Sequence, residues 1–315
     1  NGVHLVGRSF KYHRPRGIMS AGSEEPNALI QLGDGNRTDP NLRATRIELR
    51  DGLVAASQNR WPCLKFDVGS VNNFLHRFFP AGFYYKTFMW PASWWLKYEH
   101  WIRRAAGLGK APQGRDPDRY EKTHGHCDIL IVGGGPAGLA AALAAGRTGA
   151  RVILVDEGTL LGGSLWSDLD CTIDGAPGLD WVRATVAELQ AMPEVTLLIR
   201  TTATGYYDHN YLTLLERVTD HLGTAPDHLP RQRLWKIRAK RVVLAAGAIE
   251  RPLVFANNDR PGIMLASAAR TYMNRFAVTP GRRVLVLTNN DDAYRTALAM
   301  HAQGVRIAGL VDLRA

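Results

Sequence analysis

The sequence predicts an α/β protein built on a parallel sheet. Three observations predict it. First, an apolar segment at residues 129–132 is followed by a glycine turn, an alanine-rich helix and a second apolar segment at 152–155. Second, further apolar segments follow at 195–199 and 241–246. Strands of a parallel sheet are buried on both faces and consist of such continuous apolar runs. Third, 45% of the 315 residues are hydrophobic, which is normal for a protein with a sizeable core.

The turn after the first apolar segment carries the pattern G-x-G-x-x-G, formed by Gly133, Gly135 and Gly138. In this pattern the first glycine permits a tight turn, the second lets the backbone approach a pyrophosphate, and the third allows close packing of helix on strand. Pro136 and Ala137 lie in the first helical turn, whose N-terminus would face the phosphates. Strand, turn, helix and strand occur in the required order. The sequence therefore predicts a dinucleotide site here.

An acidic pair ends the second apolar segment. Asp156 lies where the motif places an acceptor for the ribose hydroxyls, and Glu157 is next to it. Two carboxylates at this point would repel a 2′-phosphate, so we expect the site to exclude NADP.

Small residues at later positions would let the chain lie against the cofactor. They are Gly162, Gly163, Ser164, Ala203, Ala246 and Gly247. The strand at 195–199 is expected to end in a tight loop at 200–203. Segments 211–218 and 233–237 are expected to form a β-excursion before the strand at 241–246, which ends in small residues.

Charge and cysteine content limit the function classes. The 39 basic and 29 acidic residues give a net charge of +10, but the basic residues are scattered, which favours anionic cofactors, substrates or a partner subunit over nucleic acid. Cys63, Cys127 and Cys171 are widely spaced, which argues against a disulfide framework and favours a reducing cytoplasm. No apolar run is long enough to cross a membrane. No metal-ligand set and no catalytic set stands out.

The chain divides into three expected segments. Residues 1–60 are turn-rich, with short strands expected at 28–32 and 45–49. Residues 61–126 hold an aromatic tract and then a polar linker at 109–126. Residues 127–315 form the dinucleotide-binding domain, with a second Rossmann-like half starting near 280. The chain lacks an initial methionine and stops where a turn or helix should follow, so we expect a fragment truncated at 315.

The aromatic tract allows two interpretations. Aromatic side chains between basic residues can stack on nucleobases, but such tracts are more typical of a core or an obligate subunit interface. Its members are Phe74, Phe78, Phe79, Phe83, Tyr84, Tyr85, Phe88, Trp90, Trp94, Trp95, Tyr98 and Trp101.

The order of motifs after residue 127 resembles the two-dinucleotide-domain flavoproteins related to glutathione reductase. That resemblance implies FAD/NAD(P)-binding Rossmann domains. The chain departs from the family twice. It has no redox cysteine pair, and its second fold, from residue 284, carries TNNDDA at 288–293 instead of a glycine motif. Carboxylates there would repel a pyrophosphate, so we expect the second fold to be empty, although Asp312 is placed like a ribose-binding acid.

Longer motifs resemble the α subunits of heterotetrameric sarcosine oxidases. They are GRSFKYHRPRGI at 7–18, EEPNAL at 24–29, PAGFYYKTFMWP at 80–91 and GAIERP at 247–252. The resemblance covers essentially the whole chain and implies a ferredoxin-like N-terminal domain, here a remnant. Related amine and opine dehydrogenase subunits bind a [2Fe–2S] cluster through cysteines that fall on Ser20, Glu25 and Ala28. Without thiolates, no cluster is expected.

The resemblance implies that sarcosine is oxidised to glycine at a flavin in a partner subunit. NAD would be held in this chain, and FAD and FMN would lie in or be shared with partner subunits. A folate-binding domain would follow in the missing part. One alternative is a self-contained FAD-dependent NAD(P)H oxidoreductase with FAD in this chain. Another is the α subunit of an opine or proline dehydrogenase, and a third is an assembly subunit whose nucleotide is structural.

Overall fold

The computed structural model describes residues 4–80, 82 and 87–314. The chain forms two compact units. The first unit contains Asn1–Pro117, Glu250–Met273 and Val278–Ala315, and the second contains Asp118–Ile249 and Asn274–Ala277. The domain boundaries expected from the sequence remain predictions.

The amino-terminal part of the first unit consists of short antiparallel strands. They are β1 (Gly7–Arg8), β2 (Pro15–Arg16), β3 (Leu29–Leu32), β4 (Asp39–Arg43) and β5 (Ala55–Ser57). β1 pairs with β2, and β3 lies between β4 and β5. The strand expected at 28–32 is confirmed from residue 29. The prediction of a strand at 45–49 is wrong. Ala44–Arg46 form a 3-10 turn instead, and the Ile47 N–H donates to the Ala44 carbonyl.

The aromatic tract follows in the same unit, and its described residues include two helices. These are α1 (Val71–Phe74) and α2 (Trp95–Ala105). Phe83, Tyr84 and Tyr85 lie outside the described residues.

The second unit is organised by one mixed sheet with two helices in its crossovers. Its elements are β6 (Tyr120–Val132), α3 (Pro136–Gly146), β7 (Val152–Val155), β8 (Thr172–Ile173), β9 (Ala176–Pro177), α4 (Gly178–Gln190), β10 (Val195–Leu198), β11 (Thr201–Tyr207), β12 (Tyr211–Arg217) and β13 (Gln232–Leu244). The order in the sheet is β10-β7-β6-β13-β12-β11. The first four strands are mutually parallel, whereas β12 and β11 add antiparallel at one edge. This is the strand–helix–strand arrangement that the glycine motif requires.

β6 and β13 are longer than the sequence indicated. Residues 120–126, expected in the linker, are the first half of β6 and pair in parallel with residues 232–238. The segments expected as separate strands at 233–237 and 241–246 are one strand, β13, and the loop expected at 200–203 begins β11 instead. The first half of β6 alternates half-buried and exposed side chains, so its polar composition resembled that of a linker.

The sheet of the second unit is buried on both faces. One face packs against α3 and α4 through residues such as Ile131, Leu139 and Leu189. The other face forms a separate cluster that includes Leu130 and Leu214. Fully burying such a side chain contributes about 1.5–3 kcal/mol, which accounts for the apolar runs at 129–132 and 152–155.

The first unit ends in a small parallel pair of strands. Its elements are α5 (Ala266–Asn274), whose last residue belongs to the second unit, β14 (Arg283–Thr288), α6 (Asp292–Ala302) and β15 (Arg306–Asp312). β14 and β15 are parallel and α6 connects them, so the second fold expected from residue 284 begins with a strand. Among the described residues, no helix is long and apolar enough to cross a membrane.

Candidate dinucleotide site

The turn between β6 and α3 requires glycine at its first position. Gly133 has φ of 106°, a conformation that side chains with a Cβ rarely adopt. Its N–H donates to the Val155 carbonyl at 2.8 Å, which joins the ends of β6 and β7. A Cβ on Gly133 would overlap the backbone of Ala245. The glycine thus lets the strand ends approach each other at the carboxyl edge of the sheet.

The other two motif glycines have different surroundings. A Cβ on Gly138 would overlap the Gly133 carbonyl oxygen, so Gly138 allows the helix to begin directly against the turn. Gly135 is the N-cap of α3 and makes no side-chain cap. A Cβ on Gly135 would meet one neighbour, the Gly163 Cα at 3.9 Å. Pro136 opens the helix and Ala137 is exposed. This helix N-terminus is open to an anion.

Asp156 holds the turn together. Its Oδ2 accepts from the Gly134 N–H at 2.6 Å, and its Oδ1 accepts from the Gly158 N–H at 2.7 Å. Each carboxylate oxygen keeps a further lone pair for a ribose hydroxyl. Glu157 beside it is exposed. The predicted ribose contact remains a prediction.

Gly134 is a residue of this turn that the glycine motif does not predict. It is buried, its N–H binds Asp156, and its carbonyl accepts from the Gly162 N–H at 2.7 Å. The pattern G-x-G-x-x-G treats this position as variable. The available signal was the run of three consecutive glycines, which indicates that the backbone is contacted throughout.

The predicted glycine pair lies against the turn. Gly163 has φ of 54°, and a Cβ on it would lie 2.8 Å from the Gly135 Cα. Ser164 is exposed in the short helical turn Gly163–Trp166. The structure therefore brings Gly162 and Gly163 together with the motif glycines, and their predicted contact with a cofactor remains a prediction.

The small residues after β13 lie at the same edge, since the Ala245 N–H donates to the Val132 carbonyl at 2.7 Å. Ala246 and Gly247 follow it and are exposed. Ala203 is different. It lies in β11 opposite Leu214 and packs against the second core cluster. Its predicted contact with a cofactor remains a prediction.

Charged groups join the strands near the amino end of β7. Asp128 accepts from Arg151, and Lys240 lies 2.9 Å from the same carboxylate. Hydrogen bonds from Arg151 and then Lys240 hold the pKa of Asp128 well below its usual range. Burial, and after it the charge of Asp128, raise the pKa of the Cys127 thiol to about 11. This thiol is therefore protonated at neutral pH and a poor nucleophile.

In the second Rossmann-like half, the carboxylates already have partners within the chain. Asp292 accepts from Arg270 at 2.9 Å, and Asp312 accepts from the Tyr294 hydroxyl at 2.9 Å and from Arg314. Hydrogen bonds from Arg314 lower the pKa of Asp312. Within the described residues, no group of three or more His, Cys, Asp or Glu side chains could hold a metal ion.

A second feature, in the first unit, is an aromatic surface composed of Phe74, Phe78, Trp90, Trp94, Trp95 and Trp101. Phe74 is 85% exposed, Trp90 83% and Trp101 66%. The interpretation that these side chains form a core of the chain is therefore wrong, and that of a subunit interface remains. Basic groups lie over the rings, with the Lys97 Nζ 5.0 Å from the Trp94 centroid.

Two protein families match parts of the chain. Residues 128–222 match the family described as FAD dependent oxidoreductase. Residues 1–60 match the family described as 2Fe-2S iron-sulfur cluster binding domain.

Curated relatives match the whole chain. It is 58% identical over 315 residues to the α subunit of sarcosine oxidase from Rhizobium meliloti (strain 1021), covering 100% of the chain and 32% of that protein. It is 41% identical over 318 residues to the sarcosine oxidase α subunit from Corynebacterium sp. (strain U-96), covering 28% of it. An opine oxidase subunit of Agrobacterium tumefaciens (strain Ach5) is 29% identical over 59% of the chain and 36% of its own length. The chain thus spans about a third of the curated relatives that match it throughout.

A solved structure, that of L-proline dehydrogenase from P. horikoshii, matches with a TM-score of 0.62 and 22% identity. The match covers 99% of this chain and 48% of that one. The predicted α/β fold is confirmed: residues 128–222 match a family of FAD dependent oxidoreductases, and the amino-terminal part matches a family of 2Fe-2S domains.

Proposed function

Because this chain is related along its whole length to the α subunits of sarcosine oxidases, we propose that it is the dinucleotide-binding part of such a subunit. The complex would oxidise sarcosine to glycine by oxidative demethylation. One structural observation supports nucleotide binding by this chain. The N-terminus of α3 lies at the carboxyl edge of the sheet, and Gly135 there is free of neighbouring side chains.

The residues at this edge fit a dinucleotide. The backbone at Gly133–Gly138 and the N-terminus of α3 would hold the pyrophosphate, and Asp156 would accept from a ribose. A bound flavin or nicotinamide would supply two-electron oxidation or reduction. The residues of this chain bind and orient the nucleotide, while the groups that touch the amine belong to a partner subunit.

The nucleotide in this chain is proposed to be NAD, with FAD and FMN in or shared with partner subunits. The likeness to sarcosine oxidase α subunits supports this assignment. FAD in this chain is the second candidate, and the match of residues 128–222 to FAD dependent oxidoreductases favours it. Asp156 with exposed Glu157 argues in both cases against a 2′-phosphate.

Cofactor extraction tests these proposals. The full-length subunit is coexpressed with its partner subunits, purified and denatured, and the released nucleotides are identified by mass spectrometry. The same is done for the subunit expressed without partners. NAD released from the isolated subunit supports the first proposal, and FAD released from it supports the second. NADP as the main nucleotide would contradict both.

The substrate class is tested on the same complex. We propose sarcosine, and the similarity to proteins named opine oxidase and L-proline dehydrogenase makes opines and proline the competing substrates. Turnover is compared on all three substrates. A higher kcat/KM for proline or an opine than for sarcosine would contradict the proposed substrate.

A folate-binding domain elsewhere in the full-length subunit and a cytoplasmic location belong to the same proposal.

A further inference from the structure

The loop that would carry a [2Fe–2S] cluster has no cluster ligands. The cysteine positions of related subunits fall on Ser20, Glu25 and Ala28, and all three residues are buried. Such a cluster is held by four thiolates, or by two thiolates and two histidines. The residues present do not fit a cluster, although the family model for this domain matches residues 1–60.

Glu25 is fully buried, and its carboxylate collects hydrogen bonds from the loop around it. Its Oε2 accepts from the Met19 N–H at 2.8 Å and from the Ser20 N–H at 2.7 Å, and its Oε1 accepts from the Asn27 N–H at 2.7 Å. The Ser20 hydroxyl adds a longer contact to Oε2 at 3.3 Å. Three backbone N–H groups therefore converge on one anionic group.

The loop closes around this carboxylate. The Asn27 side chain donates to the Gly17 carbonyl at 2.9 Å, and the Tyr272 hydroxyl donates to the Ser20 carbonyl at 3.1 Å. Burial, followed by the negative charges of Glu25 and Glu24, raises the pKa of Tyr272 to about 12. Converging backbone N–H groups of this kind form anion-binding concavities, which include many Fe–S sites.

We propose that loop 17–28 has kept the anion-binding backbone of a cluster loop and that the Glu25 carboxylate is its resident anion. In this chain a side chain occupies the place of the inorganic cluster. The loop consequently needs a carboxylate to stay closed, and it becomes a binding site for small carboxylates when that side chain is removed.

The test is chemical rescue in the full-length subunit within its complex. Glu25→Ala is expected to accelerate hydrogen exchange at Met19, Ser20 and Asn27 by at least about tenfold, since each buried N–H loses its hydrogen-bond acceptor. Formate or acetate should restore most of the protection, and chloride at equal ionic strength should not. Glu24→Ala is the matched control and should show neither effect.

Glu25→Gln keeps the proposal falsifiable if the alanine variant does not fold. Its NH₂ group would face backbone donors, so its exchange should also accelerate, and formate should not rescue it because the space is filled. Wild-type protection in Glu25→Gln, or equal rescue of Glu25→Ala by chloride, would overturn the proposal. So would a stoichiometric [2Fe–2S] absorption spectrum in the anaerobically purified protein.

Discussion

Gly135 and Gly138 belong to the same motif, yet the structure gives them different physical roles. Gly138 has no room for a side chain because the Gly133 carbonyl oxygen lies against it. Gly135 has room within the protein, and its φ is negative. The sequence pattern predicts both glycines but cannot separate packing from ligand approach, because that difference depends on the neighbouring backbone.

This difference makes Gly135→Ala an informative substitution. The nucleotide-free protein should lose at most about 1 kcal/mol of stability, because the new methyl group meets no clash and alanine caps a helix less well than glycine. The amount of nucleotide that copurifies should fall at least about tenfold. Gly281→Ala is the matched control, since its Cβ would also lie 3.9 Å from its nearest neighbours. Thermal unfolding and nucleotide stoichiometry are measured on both variants. A Gly135→Ala protein with full nucleotide content would contradict the site.

At the scale of the element, β6 combines two kinds of strand. Its first half alternates exposed and half-buried residues, and its second half, from Cys127, enters the core. The apolar half was predictable from the sequence because burial on both faces leaves a continuous apolar run. The polar half was not predictable, because its backbone is held by β13 and its side chains carry little signal.

Cys127 lies where the two halves meet, and its thiol gives β6 a pH dependence. Its pKa of about 11 in the folded state exceeds the 9.0 of a free thiol. The protonated Cys127 thiol therefore contributes its full stabilisation below pH 9. This stabilisation is lost as pH rises toward 11, because the thiol of the unfolded chain loses its proton at a lower pH than the thiol of the folded chain. Between pH 9 and 10.5 we expect the free energy of unfolding to fall by about 1.5 kcal/mol from this group.

Urea unfolding at pH 8, 9 and 10.5 measures this fall. Cys127→Ala should lose less stability across the range than the parent protein, and Cys63→Ala, at an exposed thiol, should behave as the parent does. Equal slopes for the parent and Cys127→Ala would show that the thiol is not the cause.

At the scale of the whole molecule, the aromatic surface predicts a subunit interface. Aromatic side chains that a chain leaves exposed together are typical of association sites. The sequence predicted this alternative alongside a core, and composition could not decide between them because both environments favour aromatic residues. Exposure of Phe74, Trp90 and Trp101 removes the core interpretation.

Phe74→Glu should weaken binding of the partner subunits by at least about 30-fold, the effect of losing a contact worth about 2 kcal/mol at an interface. Leu169→Glu, at an exposed leucine of the second unit, is the control and should leave binding unchanged. Hydrogen exchange across residues 74–101 should slow on assembly, and the isolated subunit should not oxidise sarcosine. Unchanged exchange, or full turnover without partners, would refute the interface.

The pairing of β6 with β13 also bears on how the chain acquires its structure. Glu121 and Arg233 face each other across these strands although 112 positions separate them. Contacts between residues so distant in sequence slow folding, because a long loop must close before the contact forms. During synthesis, the edge of β6 that pairs with β13 stays unpaired until the chain has left the ribosome through Leu244. Until then the apolar half of β6 is an unpaired strand edge of the kind that favours aggregation of nascent chains.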